Sequence, residues 1–172
     1  MDLKEKIRDI PDFPSEGILF RDITTLLADP PAFKYCINQF AEYYGDKEVT
    51  KIVGIEARGF IFGGVLAEKL GVGLVLVRKA GKLPAEVIEE SYDLEYGSAT
   101  IAIHQDALSE GDRVLIIDDL LATGGTAAAS IKLAERLGAT VVGLGFLVEL
   151  AFLPGRERLG DYDIYSLVKY DS

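Results

Sequence analysis

Apolar residues recur along the chain with two different spacings, and the two spacings alternate. In residues 32–44 they follow the i, i+3, i+4, i+7, i+8 pattern, which predicts an amphipathic helix with Cys36 packed on its core face. Helices are also predicted over 59–70 and 126–137, and each is followed by a glycine that can adopt the left-handed conformation. Short apolar runs predict strands over 51–55, 74–78, 113–117, 141–148 and 164–168.

This alternation of strands and helices predicts an α/β fold. Several of the strands are apolar on both faces, which is typical of a parallel sheet covered by helices on both sides. The order is interrupted after the second strand, where two short strands, 91–96 and 98–104, meet at Gly97. We expect these two strands to form an antiparallel hairpin that projects from the main sheet. The chain is therefore expected to be one domain, residues 1–172, with a mostly parallel central sheet flanked by helices.

Composition narrows the class of protein. The chain has 172 residues, of which 49% are apolar and 27% charged, as expected of a globular domain. Its formal net charge of −10 argues against a general nucleic-acid-binding face. The single cysteine, Cys36, and the single histidine, His104, exclude a zinc cluster, a CxxC redox pair and an internal disulfide. We place His104 on the hairpin surface, facing solvent or a partner subunit.

The N-terminal segment and the apolar stretches indicate where in the cell the protein is expected to be. The first ten residues lack the apolar core of a signal peptide. The longest nearly apolar stretches, 70–77 and 139–148, are far shorter than a membrane span. We therefore expect a cytoplasmic protein without membrane contact.

The segment with the most chemical information is VLIIDDLLATGGT, residues 114–126. Here an apolar strand leads through two aspartates into a glycine turn and a helix, at the end of the strand where α/β sheets bind ligands. Backbone N–H groups at such a turn point at one spot, where an anion can bind. Carboxylates repel phosphate but accept hydrogen bonds from vicinal hydroxyls. A sugar phosphate satisfies both halves, with ribose hydroxyls on Asp118 and Asp119 and the 5′-phosphate on 123–126.

From spacing alone, an ordinary βα turn whose acids cap a helix remains the alternative. The segment is neither of the two common nucleotide-binding turns, because the chain contains no GxxxxGK[ST] and no GxGxxG.

The same segment resembles the binding motif for 5-phosphoribosyl 1-diphosphate (PRPP) of type I phosphoribosyltransferases, in the form found in adenine-specific members. Four further segments resemble that family, in its order: FPSEGILFRDIT (13–24), IEARGF (55–60), RKAGKLP (78–84) and YDLEYG (92–97). The resemblance covers nearly the whole chain. It implies the type I phosphoribosyltransferase fold, with a short N-terminal hood over the base at 1–30 and a flexible-loop hairpin at 79–104.

The resemblance implies a reaction in purine salvage. The 5-phosphoribosyl group of PRPP would pass to N9 of adenine, giving AMP and pyrophosphate. Mg²⁺ would be held mainly by PRPP rather than by a protein cage. The implied partners are adenine and PRPP, with no nucleic acid and no membrane, and the implied assembly is a homodimer.

The resemblance also implies roles for individual residues. The flexible-loop pair Glu95 and Tyr96 would be catalytic, carried by a lid that closes over PRPP. The residues expected at the ribose and 5′-phosphate are Asp118, Asp119, Leu121, Ala122, Thr123, Gly124, Gly125 and Thr126. Those expected at the pyrophosphate are Arg58, Arg78, Lys79 and Lys82, and those at adenine are Leu19, Phe20 and Arg21. A non-proline cis peptide is expected near Ala57-Arg58.

Three alternatives stay open. A phosphoribosyltransferase for xanthine or another 6-oxopurine would need a donor to O6, often a lysine, and has a different phosphate loop. A regulator that retains the PRPP fold without catalysis would carry a DNA-binding domain or a basic face, and the charge of −10 disfavours that face. A sugar-phosphate-binding module without activity is the third, and the presence of Glu95 with Tyr96 weighs against it.

Overall fold

A computed structural model describes residues 1–172, which fall into two units, Met1–Gln39 and Phe40–Ser172. The first unit begins with a 3-10 helix, Leu3–Lys6, followed by an antiparallel pair of short strands, β1 (Arg8–Pro11) and β2 (Leu19–Asp22). It continues with the short helix α1 (Thr24–Leu27) and the first part of α2 (Pro30–Tyr44). Of these elements only α2 was predicted, because four-residue strands are too short to show a period.

The second unit alternates strands and helices. In chain order its elements are β3 (Lys51–Ile55), α3 (Arg58–Leu70), β4 (Gly73–Lys79), β5 (Val87–Asp93), β6 (Ser98–His104), β7 (Arg113–Leu121), α4 (Gly125–Arg136), β8 (Thr140–Leu150), α5 (Gly155–Leu159) and β9 (Ile164–Tyr170). The strands form one seven-stranded sheet in the order β5-β6-β4-β3-β7-β8-β9. Strands β3, β4, β7, β8 and β9 are parallel, whereas β5 and β6 are antiparallel. The predicted mostly parallel central sheet is confirmed.

Strands β3, β7 and β8 are largely buried on both faces, as their continuous apolar runs predicted, whereas β4 exposes Leu74 and Leu76 on one face. In β7 the four residues Val114 to Ile117 are all fully buried. Within the second unit, the last residue of α2 packs closely on β8, because a Cβ on Gly143 would lie 2.5 Å from Cε1 of Tyr44. The hydroxyl of Tyr44 donates to the carbonyl of Leu144, 2.9 Å away.

Cys36 is fully buried, as predicted. Desolvation raises the pKa of its thiol to about 12. The thiol is therefore a packed apolar group at neutral pH. None of the helices has both the length and the apolar character required to cross a bilayer.

The hairpin differs from the prediction in place and in extent. Strand β6 pairs with the last two residues of β4, and β5 pairs along all of β6, so the hairpin extends the sheet instead of projecting from it. Strand β5 begins at Val87 and ends at Asp93, earlier than the predicted 91–96. Its inward side chains include Glu90, which pairs with Arg136 at 3.2 Å. An acidic side chain on the inner face conceals the period that would have marked the strand.

Candidate active site

A cleft of about 470 Å³ opens at the carboxyl ends of β3 and β7. Its walls are residues 55–58, Lys79 and residues 118–127. The cleft therefore lies where an α/β sheet binds ligands, and the segment that the sequence singled out forms most of it.

The glycine turn between β7 and α4 forms one end of the cleft. Gly124 has a φ of 82°, and a Cβ there would lie 2.9 Å from the carbonyl oxygen of Gly155. Helix α4 begins at Gly125 without a side-chain cap. The N–H groups of its first turn lack intrahelical partners and are available to an anion. Thr123, Gly124, Gly125 and Thr126 line the cleft together, and their role at a phosphate stays a prediction.

Leu121 and Ala122 join the strand to this turn. The side chain of Leu121 is buried and packs against Gly155, since a Cβ on Gly155 would lie 2.9 Å from Cδ1 of Leu121. A ligand can therefore reach only the backbone of Leu121. Ala122 is half-buried, and its carbonyl oxygen would lie 2.4 Å from the same Cβ.

Asp118 and Asp119 lie within β7, which runs further than the predicted 113–117. Asp119 is buried, and its backbone N–H donates to Oδ1 of Asp118 at 2.8 Å. Desolvation and the neighbouring charge of Asp119 raise the pKa of Asp118 well above its usual range. Both side chains offer oxygen atoms that can accept hydrogen bonds from hydroxyl groups, whereas a phosphate dianion has no proton to donate to them.

Arg58 is the first residue of α3 and lines the cleft. Its Nε donates to Oδ2 of Asp119 at 2.5 Å, so the structure gives this predicted pyrophosphate ligand an acidic protein partner. The close approach of α3 to β7 requires Gly59, where a Cβ would lie 2.8 Å from the carbonyl oxygen of Ile117. The non-proline cis peptide is Glu56-Ala57, one bond before the expected position.

Glu56 binds the basic segment 78–82 through hydrogen bonds, a role that the sequence analysis missed. Its carboxylate accepts hydrogen bonds from Nζ of Lys82 at 2.8 Å, the backbone N–H of Lys79 at 2.9 Å and Arg78 at 3.3 Å. Desolvation opposes ionisation of Glu56, but these hydrogen bonds outweigh it and lower the pKa to about 2. Of the four predicted pyrophosphate ligands, Arg58 and Lys79 line the cleft, whereas Arg78 and Lys82 are held at its wall by Glu56.

Glu95 and Tyr96 lie in the turn between β5 and β6. The backbone N–H of Leu94 donates to the carbonyl of Gly97 at 3.0 Å and closes this turn. Tyr96 is 87% exposed, and neither residue of the pair lines the cleft. The structure therefore does not bring the predicted catalytic pair to the glycine turn between β7 and α4, and their role stays a prediction.

Two other side chains, one aromatic and one basic, reach the glycine turn between β7 and α4, although neither was predicted there. The hydroxyl of Tyr92 lies 2.7 Å from Oγ1 of Thr126. A Cβ on Gly125 would lie 2.7 Å from the Tyr92 ring and 3.5 Å from a guanidinium nitrogen of Arg158. The sequence offers no local signal for either contact, because both partners are distant along the chain.

His104 ends β6 and is half-buried. Its Nε2 accepts a hydrogen bond from the backbone N–H of Ala85 at 3.3 Å. The side chain thus fixes the segment before β5, a contact that the sequence analysis did not predict.

The predicted adenine contacts lie in the first unit, on β2. Leu19 is 47% exposed. The ring of Phe20 packs edge-on against Phe13, with centroids 5.1 Å apart. Arg21 donates to Oδ1 of Asp9 at 2.6 Å. Nothing in these contacts tests a role in base binding, which stays a prediction.

Comparison with known proteins defines the class. The family model described as phosphoribosyl transferase domain matches residues 22–170. The chain therefore belongs to the phosphoribosyltransferase family, as the sequence predicted.

Individual proteins that resemble the chain carry a more specific description than the family does. The chain is 58% identical to the adenine phosphoribosyltransferase of Acaryochloris marina, over 99% of this chain and 100% of that protein. The adenine phosphoribosyltransferase structure from Thermoanaerobacter pseudethanolicus superposes with a TM-score of 0.95 at 54% identity, covering 98% of both chains. The Saccharomyces cerevisiae enzyme, solved with adenine and an imino-altritol bisphosphate, has a TM-score of 0.91 at 44% identity and covers 96% of both chains.

Proposed function

We propose that this protein is an enzyme of purine salvage that transfers the 5-phosphoribosyl group of PRPP to N9 of adenine, forming AMP and pyrophosphate. The observation that carries the proposal is the cleft, which joins a capless helix N-terminus to a pair of adjacent carboxylates on one strand. The full-length similarity to adenine phosphoribosyltransferases supports the choice of base.

The ribose 5-phosphate half of PRPP fits the β7–α4 segment. We assign the 5′-phosphate to the turn at 123–126, where backbone N–H groups and two threonine hydroxyls can donate. The vicinal hydroxyls of the ribose donate hydrogen bonds to the side-chain oxygens of Asp118 and Asp119. Hydrogen bonds to charged groups are the stronger kind, and several act together here.

The diphosphate half needs cations, because it leaves as an anion when the bond to C1 breaks. Arg58 and Lys79 line the cleft and are assigned to it. Arg78 and Lys82 are also assigned to the diphosphate. To reach it, each side chain must give up its ion pair with Glu56. Because Glu56 holds them beside the cleft, the side chains are ordered before substrate arrives.

The reaction exchanges one bond at C1 of the ribose for another. The C1–O bond breaks with its electron pair leaving on pyrophosphate, and the lone pair of N9 forms the new C–N bond as the N9 proton departs. Positive charge develops on the ribose as the C1–O bond breaks, and the carboxyl groups assigned to the ribose, Asp118 and Asp119, stabilise it. We assign Glu95 either to the N9 proton or to this charge, and Tyr96 to excluding water from C1.

Mg²⁺ accompanies PRPP in this proposal. The structure has no group of three or more His, Cys, Asp or Glu side chains that could hold a metal ion. Oxygen atoms of PRPP and water supply the ligands that this hard cation prefers. The ion offsets the charge of the diphosphate, and no protein residue is assigned as its direct ligand.

We assign adenine to the first unit, on residues Leu19, Phe20 and Arg21. The unit carries three large apolar side chains that are about half exposed: Phe13 at 49%, Ile18 at 46% and Leu19 at 47%. A planar purine would cover such a surface, while backbone groups of the strand read its polar edge.

We propose that the enzyme is a cytoplasmic homodimer. Supporting evidence is a patch of exposed apolar side chains on the outer side of α3 and the adjacent strand β4: Ile61, Val65, Leu74 and Leu76. Gly64 and Leu74 place the two elements side by side, since a Cβ on Gly64 would lie 3.9 Å from Leu74. Light scattering should give twice the chain mass, and Val65→Lys should give the mass of one chain.

A product assay tests the proposed function. The protein is incubated with PRPP, Mg²⁺ and one base at a time: adenine, hypoxanthine or xanthine. We expect AMP and one equivalent of pyrophosphate with adenine. Product from a 6-oxopurine at comparable efficiency would favour the alternative transferase, and PRPP binding without product from any base would favour a regulator or binding module.

A further inference from the structure

Tyr92 and Thr126 form a hydroxyl pair between the hairpin and the helix that follows the glycine turn. Tyr92 lies on β5, and its hydroxyl oxygen is 2.7 Å from Oγ1 of Thr126, in the first turn of α4. Either oxygen can donate in the absence of a ligand. This contact joins a side chain with no assigned role, on a strand of the hairpin, to a predicted ligand of the 5′-phosphate.

The ring of Tyr92 is fixed by its surroundings. It is partly buried against the core, and its Cδ2 occupies space 2.7 Å from where a Cβ on Gly125 would lie. The strand that carries it is anchored to α4 by Arg136, which donates to the carbonyl of Glu89 at 2.7 Å. The hydroxyl of Tyr92 is therefore held beside Thr126 by packing as well as by its own hydrogen bond.

The chemistry of a bound phosphate sets the direction of this hydrogen bond. A phosphate dianion only accepts, so the Thr126 hydroxyl must use its single proton to bind it. The lone pairs of Oγ1 are then left to accept the proton of the Tyr92 hydroxyl. A chain of this kind polarises each member, which strengthens the terminal hydrogen bond to the anion.

We propose that Tyr92 is a positioning residue for the 5′-phosphate, whose hydroxyl donates to Thr126 and thereby turns the threonine proton toward the phosphate. This inference rests on the proposed function, because it takes the turn at 123–126 as the phosphate site. It adds a specificity-determining contact that reaches the substrate only through another residue. Its effect should fall on ligands that carry the 5′-phosphate and not on pyrophosphate.

The experiment measures binding of ribose 5-phosphate and of pyrophosphate by calorimetry, without adenine. Tyr92→Phe keeps the ring and removes the hydroxyl, and we expect about a fivefold to tenfold loss of ribose 5-phosphate affinity, the scale of one hydrogen bond. Pyrophosphate affinity should stay within about twofold by the same reasoning. Tyr162→Phe is the matched control, because its hydroxyl also bonds α4, at Glu135, but does not contact Thr126.

A double-mutant cycle with Thr126→Val tests whether the two hydroxyls act as one unit. We expect the loss from Tyr92→Phe to disappear when Thr126 is already valine. Additive losses, or a Tyr92→Phe variant that binds ribose 5-phosphate as the wild type does, would overturn the positioning role while leaving the proposed function intact. Failure of the wild-type protein itself to bind ribose 5-phosphate would overturn both.

Discussion

The guanidinium of Arg58 and the carboxylate of Asp119 form an ion pair, with Nε 2.5 Å from Oδ2. The pair links the first turn of α3 to the end of β7, although the two residues are 61 positions apart in sequence. The proposal assigns them to opposite halves of PRPP, the diphosphate and the ribose. Each residue therefore holds the other in place when no substrate satisfies it.

This ion pair predicts that Arg58→Gln affects stability as well as substrate use. The sequence analysis assigns Arg58 to pyrophosphate and gives it no protein partner, and with that role alone the melting temperature would be nearly unchanged by the substitution. Because Asp119 is buried, loss of its partner should cost about 1–2 kcal/mol of unfolding free energy. Chemical denaturation measures this cost. Arg58→Gln combined with Asp119→Asn should recover part of it, and a single variant as stable as the wild type would show that the pair contributes nothing.

Asp119→Ala should weaken PRPP binding by roughly 1–3 kcal/mol, because hydroxyl bonds to a charged acceptor are left unmade. Calorimetry with PRPP and Mg²⁺ measures the loss. Because Asp119 also holds Arg58, ribose 5-phosphate, which contains the ribose but no diphosphate, is measured as well and should lose affinity by a similar factor. Unchanged PRPP affinity would remove the ribose assignment.

Glu56 predicts a pH dependence of stability. Its pKa is lowered from 4.5 to about 2 in the folded protein, so its contribution is fully present above pH 4.5 and is lost as pH falls toward 2. Glu56→Gln should therefore be less stable than the wild type at neutral pH, and the difference should shrink below pH 4.5. Urea unfolding at pH 7, 5, 4 and 3 measures it. The exposed Glu16→Gln is the control, and a pH-independent difference for Glu56→Gln would contradict the assignment.

Glu95→Ala separates the two roles left open for that residue. If Glu95 transfers the N9 proton, kcat should fall by roughly 10²–10⁴, and by less if it only stabilises charge. Initial rates at saturating PRPP and adenine measure kcat. PRPP affinity should be retained, because Glu95 does not line the cleft. An unchanged kcat would take Glu95 out of the catalytic machinery.

The hairpin predicts a specific pattern of hydrogen exchange. The sequence analysis predicts that the insertion 79–97 is a lid, mobile until a ligand orders it. The structure pairs β5 with all of β6, so 87–93 should be protected in the free protein. PRPP with an adenine analogue should then increase protection only at 80–86 and at 94–97. Fast exchange of 87–93 without ligand would restore the view of a lid that moves as a whole.

The glycine turn between β7 and α4 could be predicted from sequence because its signals are local. An apolar run, two aspartates and a glycine turn follow one another in 114–126, and the structure keeps all of them in one strand–turn–helix unit. The alternation of strands and helices could be predicted for the same reason, because each central strand is a continuous apolar run. The bounds of β3 were predicted to the residue, and those of β7 fell short only where charged residues began.

Features that depend on distant partners could not be predicted in the same way. The contact of Glu56 with Arg78 and Lys82, and that of Tyr92 with Thr126, join segments that no local pattern relates. The need for glycine at Gly59 comes from a strand about 60 residues later, so its reason is visible only in three dimensions. Glu90 shows how a distant partner can also obscure a local pattern. Its ion pair with Arg136 places an acidic side chain on the inner face of β5, where the alternating pattern of a strand would have an apolar one.

A competition between two bases tests the central claim most directly. Adenine and hypoxanthine are supplied together with limiting PRPP and Mg²⁺, and AMP, IMP and pyrophosphate are quantified at early times. A site built on hydrogen bonds to the adenine edge would leave a buried polar group unpaired against a 6-oxo group, which can discriminate by about 10⁴-fold or more. We predict AMP and pyrophosphate in equal amounts, with IMP lower by that factor. Comparable amounts of IMP, or pyrophosphate released without AMP, would contradict the account.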